Sequence, residues 1–152
     1  MIIFQGKNFI PILYTRYIKY DDINFLESKI IDCDPPYNDV KVKGTAIMSP
    51  NYPNEYDSNK ECVVTITYAI NETIAITFVS FDIEVPRRGR DCDDYLAIYD
   101  GKSIYTPRLI HKLCGTNAAG TTIRSTGNAM TLHFHTDVTG TRAGFKLYAN
   151  AG

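Results

Sequence analysis

Three carboxylates, Glu84, Asp94 and Asp137, stand where the chain passes between an alternating, strand-like run and a turn. Glu84 lies just beyond one such run, Asp94 just before another, and Asp137 just after a third. A sandwich of strands could bring these ends together, and carboxylates gathered so closely repel. An oxygen-seeking divalent cation relieves the repulsion. Ca²⁺ accepts carboxylates together with backbone carbonyls and water in flexible geometry, whereas Mg²⁺ demands a stricter octahedron, so Ca²⁺ is the expected ion. Asp91 and Asp93 adjoin the middle position and could substitute for Asp94 or line the rim. Acidic residues at strand ends that do not converge are ordinary solvated turn residues.

The second chemistry is that of sulfur. Cys33, Cys62, Cys92 and Cys114 form an even set in loop-rich sequence, which points to disulfides, with three connectivities open. No C-x-x-C or Cys/His ligand spacing supports a zinc or redox alternative. Disulfides persist in oxidising compartments, so an extracellular or secreted protein is expected. Asn71-Glu72-Thr73 is an N-glycosylation acceptor, expected at an exposed hairpin tip.

Other constellations carry less. The basic run Arg87-Arg88-Gly89-Arg90 could bind a sulfated glycan, invite a basic-site protease, pair with Asp91 and Asp93, or simply form a solvated loop. His133 and His135 share one strand face and could chelate zinc or copper, but two imidazoles without a third nearby ligand make a poor site. His111 stands alone. There is no H-E-x-x-H, no G-x-S-x-G elbow and no phosphate-cradling G-x-x-x-x-G-K, so no enzymatic activity is expected.

Bulk properties frame these sites. The chain has 152 residues, 44% apolar and 12% aromatic, enough for one hydrophobic core. Lys and Arg number 16 against 17 Asp and Glu, a net charge of -1, which gives no bulk reason to expect nucleic acid as a partner. No apolar run approaches the ~18 residues of a transmembrane segment. Residues 1–20 mix apolar with polar and charged positions and lack the features of a signal peptide, so the secretion signal is expected upstream of Met1.

The elements that must position the sites are short strands. After Cys33, alternating runs are separated by Gly, Pro, Asn and Asp clusters at intervals of roughly ten residues, the pattern of a β-sandwich. Val64, Ile66, Tyr68 and Ile70 share one face, as do Ile74, Ile76 and Phe78. Further strands are expected at Tyr95–Tyr99, with Leu96 and Ile98 inward, at Met130–Phe134, with both histidines outward, and at Phe145–Tyr148. Residues 1–32 read as a flank or linker in which Asp21–Lys29 could form a short helix, and 33–150 as one domain.

Between Cys33 and about Tyr148 the order of residues resembles the CUB domain family. The resemblance rests on Ser49-Pro50-Asn51-Tyr52-Pro53-Asn54-Glu55-Tyr56, Cys62, Phe81-Asp82-Ile83-Glu84, and Asp94-Tyr95-Leu96-Ala97-Ile98-Tyr99-Asp100-Gly101. Cys114-Gly115, Ser125-Thr126-Gly127-Asn128 and Gly144-Phe145 continue it in order. It implies an all-β, antiparallel jelly-roll sandwich with Cys33 bonded to Cys62 and Cys92 to Cys114. Such bridges would close loops of about 20 to 30 residues, each contributing on the order of 3 kcal/mol in the chain-entropy picture.

The resemblance also implies calcium held by Glu84, Asp94, Asp137 and Thr139, supported by Tyr56. Asp94 lies two residues after Cys92, where the family pattern usually has three. Val64 stands where the family often has Trp, and the chain has no Trp, so Tyr68, Phe78 or Phe81 must supply that packing. The implied function is an extracellular, calcium-dependent protein-interaction module, part of a larger secreted or cell-surface protein, whose partner presents Lys or Arg to the calcium site. The alternatives are a spermadhesin-like domain binding glycans or phospholipid head groups through Arg87, Arg88 and Arg90, or a regulatory module of a secreted protease.

Overall fold

Apolar residues recurring along the central strands give them a buried face, cleanest in β4 (Glu61–Thr67), and two sheets close over those faces. The structure is a computed structural model and describes residues 27–152. Its strands are β1 (Ser28–Ile30), β2 (Tyr37–Val40), β3 (Thr45–Met48), β4 (Glu61–Thr67) and β5 (Ile74–Asp82), then β6 (Tyr95–Asp100), β7 (Leu109–Leu113), β8 (Thr122–Arg124), β9 (Ala129–His135) and β10 (Gly144–Ala151). One sheet has the order β1-β3-β10-β5-β8 and the other β2-β4-β9-β6-β7. All pairs are antiparallel except β1 with β3 and β2 with β4, so each sheet is mixed, with one parallel pair at an edge.

The core lies between the sheets. Val64 and Ile66 of β4, Leu96 and Ile98 of β6, and Met130, Leu132 and Phe134 of β9 face Ile74, Ile76, Phe78 and Phe81 of β5 and Phe145 and Leu147 of β10. Packing without Trp is met by aromatic contacts: Phe81 stands edge-on to Phe78 and stacks with Phe145, while buried Tyr68 donates from its hydroxyl to the Ala149 carbonyl at 2.8 Å. The disulfides are Cys33–Cys62 and Cys92–Cys114.

Four local expectations change. Ile70 does not join the buried face of β4; that strand ends at Thr67, the chain turns, and Ile70 is 81% exposed. Asn71 is exposed and adopts φ 74°, but β4 and β5 belong to different sheets, so this turn is a crossing between layers and not a hairpin tip. Ser28 and Lys29, placed at the end of a possible helix, are extended in β1, because pairing with Ala46 and Ile47 outweighs a weak local helical preference. Ile31, assigned to the flank, is 2% exposed and donates its N–H to the Met48 carbonyl, so the folded unit reaches back to at least Ser28. Residues 1–26, which hold the rest of the expected flank and most of the expected helix, lie outside the described residues.

Candidate metal centre

The loops at one end of the sandwich bring together residues far apart in sequence. Glu84 follows β5 after a bridge between Ile83 and Gly115, Asp93 and Asp94 lead into β6, and Asp137 follows β9. Tyr56 enters from the β3–β4 loop, where its N–H is held by the Arg142 carbonyl, and its ring stands edge-on to Phe134 with centroids 5.1 Å apart. Burial of that ring at 1% exposure fixes where its hydroxyl can point.

The hydroxyl ties two acidic loops together. It donates to Asp94 Oδ2 at 2.9 Å and accepts the Glu84 backbone N–H at 3.1 Å. Desolvation, with the charges of Asp94 and Glu84 nearby, raises the phenol pKa so far that it stays protonated. Asp94 is buried at 1% exposure, and its other oxygen accepts the Asp137 backbone N–H at 2.7 Å. Asp137 Oδ1 in turn accepts the Thr139 N–H at 3.1 Å.

Around this framework Glu84, Asp93 and Asp137 each place a carboxylate oxygen within 4.8 Å of the others. Sequence reasoning had Asp94 in the middle position with Asp93 as a possible substitute; the structure brings Asp93 into the converging group and sets Asp94 beneath it. Their charges are balanced differently. Arg87 donates to Asp93 Oδ2 from Nε at 3.0 Å and from Nη2 at 2.6 Å, and Arg90 lies 4.0 Å from Asp93. Among the described residues Glu84, Asp94 and Asp137 have no cationic partner within ion-pair distance, and the Glu84 carboxylate accepts no hydrogen bond. Desolvation, then the charges of Asp94, Asp137 and Asp93, push the Glu84 carboxyl above its ordinary range. Asp94 is also raised, first by desolvation, with the charge of Asp137 contributing.

Gly140 closes the wall. Its φ of 87° is the left-handed conformation that favours glycine, and a Cβ added there would overlap Glu84 Oε1. Backbone therefore approaches the Glu84 carboxylate as closely as it can. Sequence patterning alone did not single out Gly140, although Thr139-Gly140 directly after Asp137 was the signal available.

The remaining candidates lie elsewhere. Arg88 is exposed, and with Arg87 and Arg90 turned on Asp93 the basic run is partly neutralised within its own loop. Asp91 pairs with Lys112 at 2.7 Å and belongs to the rim.

Comparison with known proteins places the chain, over most of its length, in a family. A family profile described as the CUB domain matches residues 33–148. Human tolloid-like protein 1 is 42% identical over 99 residues, which is 65% of this chain and only 9% of that protein, so the similarity concerns one segment of a far longer polypeptide. The full extracellular region of zebrafish Gpr126/Adgrg6 superposes with a TM-score of 0.64 at 29% identity, covering 74% of this chain and 14% of that one. The MASP-1 CUB2 domain, solved bound to Ca²⁺, superposes with a TM-score of 0.63 at 28% identity, over 75% of this chain and 97% of that chain.

Proposed function

The chain belongs to the CUB domain family, a family of non-catalytic interaction modules of extracellular proteins, and on that premise we propose that it is a calcium-dependent recognition module. Glu84, Asp94 and Asp137 hold the ion, with Thr139 and Tyr56 in support. The observation that carries this reading is charge balance: three carboxylates, one buried and one without a hydrogen bond, share one end of the sandwich with no cation of their own among the described residues, while Asp93 is satisfied by Arg87. The donor set suits a hard cation, since the cluster consists of carboxylates and takes in no His or Cys among the described residues. The Ca²⁺-bound MASP-1 CUB2 domain supports the choice of ion.

When bound, calcium supplies two positive charges that cancel the mutual repulsion of the carboxylates. The chain's own residues do the rest. Tyr56 and the Asp137 N–H orient Asp94, Thr139 orients Asp137, and Gly140 fills the space behind Glu84. The outward edges of Glu84 and Asp137 then offer carboxylate oxygens to a Lys or Arg of a partner, a charge-assisted contact that depends on calcium and weakens with salt.

Thermal unfolding tests the reading. Added Ca²⁺ is expected to raise the melting temperature of the wild type and not that of Asp137→Ala, with chelator reversing the rise. Equal responses of the two proteins, or none in either, would overturn the assignment.

A further inference from the structure

The end of the sandwich opposite the carboxylates holds a cleft. β6 leads from Asp94 at the acidic end to Asp100 at the other, and β9 starts beside Asp100 and runs back towards Asp137. At that far end the segment joining β6 to β7 and the turn before β9 enclose about 370 Å³. Such a volume lies in the range of small-ligand sites, roughly 300–1,000 Å³. Asp100, Lys102, Ser103, Tyr105, Arg108 and Thr126 are among the residues lining it.

The backbone around the cleft is fixed. The Gly101 N–H bonds to the Ala129 carbonyl at 3.0 Å, and the Gly101 carbonyl accepts the Thr131 hydroxyl at 2.8 Å. A 3-10 turn, Thr106–Arg108, returns the Arg108 N–H to the Tyr105 carbonyl at 2.8 Å. Asp100 accepts two hydrogen bonds from Thr126, one from the backbone N–H at 3.0 Å and one from the hydroxyl at 2.6 Å. A carboxylate has about four acceptor sites, so Asp100 can still receive donors from a ligand. Among the described residues the Lys and Arg ion pairs are made by Lys29, Lys43, Arg87, Arg90 and Lys112, which leaves Lys102 and Arg108 without a carboxylate partner. Tyr105 is 60% exposed, so its ring is open to solvent at the rim.

We propose that this cleft binds an acidic saccharide, a sugar carrying a carboxylate or sulfate group. Each side chain answers one part of such a ligand. Lys102 and Arg108 meet the anionic group through charge-assisted hydrogen bonds. Asp100 and Ser103 take the ring hydroxyls, and the face of Tyr105, negative by its quadrupole, takes the C–H groups of the ring. The mixture of charges selects against other anions. An acidic peptide brings several carboxylates past Asp100, which repels them, whereas one acidic group among hydroxyls satisfies both signs of charge. The loop of Arg87 and Arg90 lies at the other end, turned on Asp93, and takes no part.

Titration of the protein with sialyllactose, which carries a carboxylate, and separately with a heparin tetrasaccharide, which adds sulfates, tests the cleft by the NMR signals of its backbone amides. The expected result is saturable movement of the Lys102, Ser103 and Thr126 signals with at least one of the two, in calcium and equally with chelator, so that the outcome is independent of the carboxylate site. Response to sialyllactose alone assigns a carboxylated sugar, and response to the heparin fragment alone a sulfated one. Lactose and a hexaglutamate peptide should leave these signals in place. Affinity should fall roughly tenfold or more in Lys102→Ala and in Arg108→Ala, both exposed positions checked for folding by circular dichroism, and match the wild type in Arg88→Ala. Asp100→Asn keeps an acceptor for Thr126 and should weaken binding; tighter binding would mark a site for anions in general and overturn the assignment. No movement with either acidic saccharide, equal movement with lactose or hexaglutamate, binding lost with chelator, or affinity unchanged in both Lys102→Ala and Arg108→Ala would also overturn it.

Discussion

Glu84 carries the sharpest consequence of the crowded carboxylates. Its folded-state pKa is raised by desolvation and then by neighbouring negative charge, so ionisation costs the folded chain more than the unfolded one. The stability this group permits is therefore full below its unfolded pKa, about 4.3, and is lost as pH rises through the higher folded value. Without calcium, Glu84→Gln is expected to be at least as stable as wild type near neutral pH, with the difference closing as pH falls through the carboxylate range. With saturating calcium the order should reverse. Denaturant unfolding with chelator and with calcium reads both; a variant already weaker than wild type without calcium at neutral pH would contradict the charge-crowding picture. Tyr56→Phe keeps the ring against Phe134 and removes the hydroxyl between Asp94 and Glu84, so it should cost about 1–3 kcal/mol and weaken calcium binding. Gly140→Ala should fold yet lose calcium affinity, because the methyl takes the place of Glu84 Oε1; unaltered calcium binding would show that Glu84 is not a ligand.

The strands were legible where alternation was clean. Met130, Leu132 and Phe134 point inward and His133 and His135 outward because β9 is paired on both sides, with β4 and β6, and cannot slip without exposing its apolar face. Legibility failed where pairing partners are distant in sequence. Ser28–Ile30 carries no local strand signal strong enough to outweigh a helical reading, and becomes a strand only because β3 offers a free edge. Ile70 continued the alternation on paper but falls beyond the last residue of β4. Glu61 escaped notice as a hydrogen-bond partner of His133 and His135 because only the β4–β9 register sets it across from His135. At this scale the Cys92–Cys114 bridge ties the loop that carries Asp93 and Asp94 to the chain just after β7, across a sequence separation of 22. Replacing both cysteines by Ser should cost on the order of 3 kcal/mol and also weaken calcium binding. Replacing Cys33 and Cys62 should cost a similar amount and leave calcium affinity closer to wild type, since neither adjoins a carboxylate of the site. Chemical denaturation and calcium titration of the two double variants separate these effects.

Across the whole molecule the net charge of -1 conceals an uneven distribution. Four carboxylates, Glu84, Asp93, Asp94 and Asp137, meet at one end of the sandwich, and Arg87 answers only one of them directly. That local imbalance, rather than overall charge, is what a dication or a basic partner would meet. The sequence made Glu84 and Asp137 readable as neighbours through strand ends, but two adjacent aspartates in one loop could not be told apart without their hydrogen bonds. Asp94 turns inward to Tyr56 and Asp137, and Asp93 outward to Arg87. The most direct measurement is therefore a calorimetric calcium titration of wild type, Asp94→Asn and Asp93→Asn. A single calcium site in the wild type, lost or much weakened in Asp94→Asn and retained in Asp93→Asn, is the expected result; no calcium binding in the wild type, or binding that survives Asp94→Asn and fails in Asp93→Asn, would contradict it.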